Sequence, residues 1–141
     1  MFDLPPCAEA IADYYQVPLV IVAGVAKQEG GAPGVVSRPN RNGTVDIGLM
    51  QINSIWWDQR NPVNLRDFNI TPERARDDAC TSIVLGTWIL QQNHARFGNW
   101  FQAIAAYNAG PNNWEAGYDY AMSVVGHIQN KVTQSVRTRS D

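Results

Sequence analysis

Three groups of residues have the types and spacing to do chemistry. They are Glu29, the run Asp46-Ile47-Gly48-Leu49-Met50-Gln51-Ile52-Asn53-Ser54, and the run Ala106-Tyr107-Asn108-Ala109-Gly110. The two runs set side-chain amides among apolar neighbours with little charge. Such surfaces suit a neutral, hydroxyl-rich ligand, and a glycan is one. Cleaving a glycosidic bond needs a proton donor at the leaving oxygen. A Glu in an apolar pocket can supply it, because desolvation disfavours the carboxylate and raises its pKa. General acid catalysis of this kind accelerates a reaction by roughly 10²–10⁴-fold.

These residues need helices to hold them. Ala8 to Tyr15 reads as a short helix that stops before Pro18. Pro18 suits the first turn of a second helix running to about Gln28 or Glu29. Val22, Val25, Ala26 and Glu29 recur at helical spacing on one face. Glu29 is therefore expected at the C-terminal end of a helix, on its apolar side, with Gly30-Gly31 closing it. Loop composition follows as far as Gly48. Asn42-Gly43 is a hairpin-turn signal, and Thr44-Val45 is the expected strand after it.

Thr71-Pro72-Glu73 is a helix start, and that helix is expected to reach about Arg96. Its middle, Ile83 to Leu90, is apolar on every side, as a buried helix is. Gly86 within it would admit a close neighbour. Trp100 to Asn108 is a further helix closed by Gly110-Pro111, and Gly117 to Val132 is the last. Residues 134–141 are expected to form a disordered tail. The whole reads as a mostly α (α+β) chain of one domain, 1–133, with one small β-hairpin.

Composition narrows the function. The formal net charge is −2, and Arg137 and Arg139 form the single small basic cluster, which argues against nucleic acid as a partner. No apolar run reaches the length of a membrane span; the best is Pro18 to Ala26. Met1-Phe2-Asp3 lacks the basic start of a secretory signal. His94 and His127 stand apart and read as surface or helix-end residues. With no Cys/His cluster, neither metal nor cofactor is expected. Cys7 and Cys80 either form one disulfide, which would contribute roughly 3–4 kcal/mol, or remain two buried thiols. The count leaves both open. The five Trp and five Tyr serve a core or stack on sugar rings. For Trp56 and Trp57 both uses stand.

Glu29, the Gly48-Leu49-Met50-Gln51 motif and the Ala106-Tyr107-Asn108-Ala109-Gly110 motif, in this order, resemble the soluble lytic transglycosylase (SLT) domain family. The likeness covers about Cys7 to Val125. It is greatest to the small members that accompany type III and type IV secretion systems and pili. The resemblance implies a lysozyme-like fold with a substrate cleft. It also implies cleavage of peptidoglycan glycan strands between N-acetylmuramic acid and N-acetylglucosamine, leaving 1,6-anhydro ends. Glu29 matches the catalytic acid/base. Met50, Gln51, Tyr107 and Asn108 match substrate-binding positions, and Asn53 is expected to help orient the sugar. Cys7 and Cys80 match a disulfide of the secretion-associated members, which favours the periplasm, any secretory signal having been removed.

Two features depart from that pattern. Gly30 stands where the family usually has a Ser that helps hold substrate. The segment from Asp46 to Trp57 also resembles c-type lysozymes, and Asp46 follows Glu29 at the separation of their two catalytic carboxylates. Asp46 is thus either a brace of the hairpin or a second catalytic group. The alternative function is a hydrolytic muramidase using Glu29 and Asp46, and a third reading is an inactive glycan-binding scaffold.

Overall fold

The computed structural model describes the backbone of residues 3–140 and the side chains of residues 3–133. The chain forms two compact units. One comprises the residues up to Gln28 together with those from Thr87 onward, and the other comprises Glu29–Gly86. The architecture is mostly helical with one small antiparallel sheet, in keeping with the lysozyme-like class expected from the sequence.

The first unit is helical. Helix α1 (Ala8–Tyr15) ends at Gln16, whose left-handed backbone (φ 56°) caps it. Helix α2 (Leu19–Glu29) starts at Pro18, whose carbonyl accepts the amides of Ile21 and Val22. Both helices lie where the sequence places them. Val22 and Val25 on α2 are fully buried, so the apolar face read from spacing is the packed face. Helix α4 (Ala79–Phe97) contributes its residues from Thr87 onward and ends at Gly98 (φ 67°). Helix α5 (Trp100–Ala109) is capped by Asn99, whose side chain accepts the Gln102 amide. A 3-10 segment, Pro111–Gly117, follows it, and α6 (Tyr118–Ser140) completes the unit.

Small residues set the packing here. A Cβ on Gly117 would overlap the backbone of Ala105, which brings the start of α6 directly onto α5. Gly24 of α2 meets Val124 and Ile128 of α6, both 3.1 Å from where its Cβ would lie. Asn93 is buried and donates to the Ala103 carbonyl at 3.1 Å, tying α4 to α5.

The second unit carries the sheet. Strand β1 (Asp46–Ile47) pairs antiparallel with β2 (Ile52–Asn53), with Asp46 opposite Asn53 and Ile47 opposite Ile52. Val36 adds one further bridge to Ile47. Two 3-10 turns follow, Ser54–Trp57 and Leu65–Phe68. Helix α3 (Pro72–Asp77) and the first residues of α4 complete this unit. From Thr81 to Leu90 no residue of α4 is exposed, as its all-round apolar character predicts. No single helix among the described residues is long and apolar enough to cross a membrane.

Three expectations change. Asn42-Gly43 does form a turn, closed by the Gly43 amide on the Asn40 carbonyl at 2.9 Å. The strand beyond it starts at Asp46 instead of Thr44, because Thr44 and Asn42 bond to each other within the loop. The helix expected from Thr71 to Arg96 is two helices. Asp78 is extended (φ −103°, ψ 110°) and its carboxylate accepts from the Cys80 amide and the Thr81 hydroxyl, so it ends α3 and caps α4. Helix α6, expected to end at Val132, continues to Ser140. Asp141 lies outside the described residues.

Candidate active site

Glu29 is the last residue of α2 and is half-buried. The helix ends there because Gly30 turns left-handed (φ 65°), a conformation an L side chain adopts only at a cost. The Ser that the family usually places here would be strained in this backbone. Gly31 follows and lies flat against the turn between the strands. A Cβ on Gly31 would overlap the carbonyl oxygen of Gly48, and the Leu49 carbonyl oxygen would be 2.7 Å away. The chain leaving Glu29 is therefore in van der Waals contact with the Gly48–Gln51 turn.

That turn is built from unusual backbone. Gly48 (φ 76°) and Gln51 (φ 52°) both occupy the left-handed region. A non-glycine residue in that region carries strain that its surroundings must hold in place. Here the hold is visible. The Gln51 amide donates to the Gly48 carbonyl at 3.2 Å, and the Gln51 side-chain Nε2 donates to the same oxygen at 2.9 Å. Gly48 itself donates to the Val35 carbonyl at 2.8 Å and abuts the carbonyl of Ala75 within α3. The carbonyl of Gly48 is thus the point where Gly31 and the Gln51 amide converge.

Met50 has no exposed surface at all. Its backbone amide donates to the buried hydroxyl of Ser82 at 2.9 Å, and its side chain fills the space left by Gly86. A Cβ on Gly86 would stand 2.5 Å from Met50 Cε. Gly86 thus admits the close neighbour expected of it, and that neighbour is Met50. The side chain of Met50 supports the turn from beneath and offers nothing to solvent.

Asp46 and Asn53 face each other across the sheet. Asp46 Oδ1 accepts from Asn53 Nδ2 at 3.0 Å, and Oδ2 accepts from Asn40 Nδ2 at 3.3 Å. Asn53 Nδ2 also donates to the Thr44 hydroxyl at 3.0 Å, and its Oδ1 caps the Ser54–Trp57 turn by accepting the Ile55 amide. Both amide hydrogens of Asn53 are used within the protein. Asn40 and Thr44, which loop composition alone does not mark, complete this network. Trp57 is buried at 6% exposure and donates to the Ile70 carbonyl, so it is a core residue, while Trp56 is half-buried.

The third motif lies in the first unit. Tyr107, half-buried, and Asn108, exposed, occupy the last turn of α5. Gly110 (φ 87°) ends that helix, its amide returning to the Ala106 carbonyl at 2.8 Å. The histidines are held. His94 stacks on Trp100 with ring centroids 3.8 Å apart, and His127 Nε2 lies 2.8 Å from Gln28 Oε1. Both cysteines are oxidised, Cys7 with Cys80, which resolves the choice their count leaves open. Cys7 directly precedes α1 and Cys80 lies in the first turn of α4.

The transglycosylase SLT domain family matches residues 6–124. The chain belongs to that family. Among similar proteins are the Invasion protein IagB of Salmonella typhimurium strain SL1344, 32% identical over 97 residues, and the Protein IpgF of Shigella flexneri, 27% identical over 104 residues. The first alignment covers 68% of this chain and the second 74%. This SLT domain spans 57% of IagB and 65% of IpgF. The match from residue 6 to 124 takes in the Glu29 helix end, the Gly48–Gln51 turn and the Tyr107-Asn108 turn of the SLT domain together.

Proposed function

We propose that the chain is a peptidoglycan lytic transglycosylase in which Glu29 is the only proton donor and acceptor. Protonated Glu29 donates to the oxygen joining N-acetylmuramic acid to N-acetylglucosamine, and the muramic ring gains oxocarbenium character. The ionised Glu29 then takes the proton of the muramic acid's own C6 hydroxyl. That oxygen closes on C1 and leaves a 1,6-anhydro end. The nucleophile belongs to the sugar being cleaved, so it is already near C1 and outcompetes water.

The observation that carries this reading is the convergence of Gly31 and the Gln51 side chain on the Gly48 carbonyl. It supports an acid at the end of α2 held in a fixed register with a turn that bears an amide. Gln51 uses one amide hydrogen on Gly48, which leaves its carbonyl oxygen and second hydrogen for a sugar. Tyr107 and Asn108 are proposed to orient the sugar as their family positions do. Asn53 and Met50 act by bracing the turn and sheet. Residues 1–133 are proposed to work as one catalytic domain, which the unbroken family match supports.

Asp46 fits a bracing part better than a nucleophilic one. Each of its carboxylate oxygens is occupied by a side-chain amide of Asn53 or Asn40. This favours the anhydro product over hydrolysis. The disulfide supports a site of action in an oxidising compartment, the periplasm. We further propose local opening of the wall for a secretion, conjugation or pilus machine. The likeness to small secretion-associated members and to a protein named for invasion supports this.

The test is digestion of purified peptidoglycan by the wild type and by Glu29→Gln, with mass spectrometry of the products. Anhydro-muropeptides from the wild type alone are expected. Products carrying an added water would transfer the reaction to the muramidase reading. A wild type that releases no more than Glu29→Gln would leave a glycan-binding protein.

A further inference from the structure

His127 lies on α6, far along the chain from Glu29 and the Gly48–Gln51 turn, yet it touches the helix that carries Glu29. Its Nε2 stands 2.8 Å from Oε1 of Gln28, the residue just before Glu29. An amide oxygen is an acceptor, so the imidazole donates from its Nε2–H tautomer. Both side chains are half-buried.

A second contact lies one helical turn earlier. Val124 and Ile128 flank Gly24, each 3.1 Å from the position of its missing Cβ. Val124, His127 and Ile128 share one face of α6 by their spacing, and Gly24 and Gln28 share one face of α2. Helix α6 therefore grips α2 at two successive points, and the second is the turn that ends in Glu29.

That turn needs such a grip. Helix ends fray, and the residues after Glu29 are Gly30 and Gly31, the least restricted of all. Gly31 is fixed on one side by the Gly48 carbonyl. On the helical side Gln28, the residue before Glu29, is held by its side chain to His127. The direction of a catalytic carboxylate matters greatly, since a displacement of about 1 Å can cost about 10²-fold in rate.

We propose that His127 is a positioning residue: by donating to Gln28 it fixes the last turn of α2 and so the direction of the Glu29 carboxylate. The inference rests on the assignment of Glu29 as the acid. It predicts that His127→Ala lowers kcat about 10-fold with KM within about twofold of wild type. His127→Gln places an amide donor near the position of Nε2, and it should restore kcat to within about threefold of wild type. Gln28→Ala should match His127→Ala, and the double variant should be no worse than either, because both remove one bond.

The full chain with its disulfide intact is assayed on purified peptidoglycan, well below the melting temperature of each variant. Amide hydrogen exchange at residues 26–29 is measured in parallel. Exchange should rise in His127→Ala and return in His127→Gln. The proposal is overturned if kcat of His127→Ala stays within twofold of wild type, if the loss falls on KM, or if the two single losses multiply in the double variant. Unchanged exchange at residues 26–29 would overturn it independently of any assay. If instead the wild type is no more active than Glu29→Gln while exchange responds as described, the tether stands and the glycan-cleaving assignment is what has failed.

Discussion

Gly31 lies against Gly48 so closely that a single methyl group on Gly31 would overlap the Gly48 carbonyl oxygen. The obstacle is backbone, with the Leu49 carbonyl beside it, so no side chain can rotate to make room. The carbonyl in question is also the acceptor for the backbone amide and the side chain of Gln51. Pushing it aside would loosen the turn that presents Gln51 and separate that turn from the chain leaving Glu29.

Gly31→Ala should therefore destabilise the protein by about 1–3 kcal/mol, the usual cost of overfilling a tight contact. It should also reduce glycan cleavage well beyond what the stability loss explains. Thermal denaturation and activity at a temperature where both forms are folded check this. An alanine variant with wild-type melting and wild-type activity would show that the contact sets nothing.

The sequence made the helices legible and the connections less so. Val22, Val25, Ala26 and Glu29 give the face and the end of α2 because spacing on a helix is a local property. Gly86 could be read as a point of close approach, but its partner could not, since Met50 is brought to it by the turn. The break at Asp78 has neither Gly nor Pro to mark it. The signal lay in Asp78 followed by Thr81, an acid and a hydroxyl that bond to each other and to the Cys80 amide. The bond from His127 to Gln28 joins distant parts of the chain and has no local pattern at all.

Asp46 is an acceptor for two amides, and an amide in its place cannot satisfy both. Asp46→Asn would turn one of its own N–H groups toward Asn40 or Asn53, whose Nδ2 atoms now donate to it. Loss of a hydrogen bond to a charged group costs about 1.5–3 kcal/mol. A lower melting temperature is expected, with the products still ending in anhydro-muramic acid. An Asp46→Asn variant that melts as wild type but has lost all cleavage would make this carboxylate part of the chemistry.

The disulfide closes about half of the chain, from Cys7 to Cys80. Removing a cross-link of that span frees the unfolded chain and should cost about 4 kcal/mol. Cys7→Ser, Cys80→Ser and the reduced wild type should all melt at a similar, lower temperature than the oxidised protein. Equal melting of the oxidised and reduced forms would mean that the bond contributes nothing to stability.

Asp78 gives stability an acid limb. The Thr81 hydroxyl, bonded at 2.7 Å, is the main cause that holds its carboxyl below the usual value of 3.8, with the Cys80 amide adding to it. A group whose pKa is lower in the folded state stabilises that state when ionised. The contribution is complete above 3.8 and fades as pH falls through the lowered folded value. Asp78→Ala should accordingly melt below wild type at pH 7, for want of the cap on α4. The gap should narrow as acid protonates Asp78 in the wild type and removes the same bonds. Asp78→Asn retains an oxygen for the Cys80 amide and should lie between the two at pH 7. Melting temperatures of the three proteins from pH 7 to pH 2 decide the matter. A gap that holds constant to the lowest pH would mean that the charge on Asp78 has no part in capping α4.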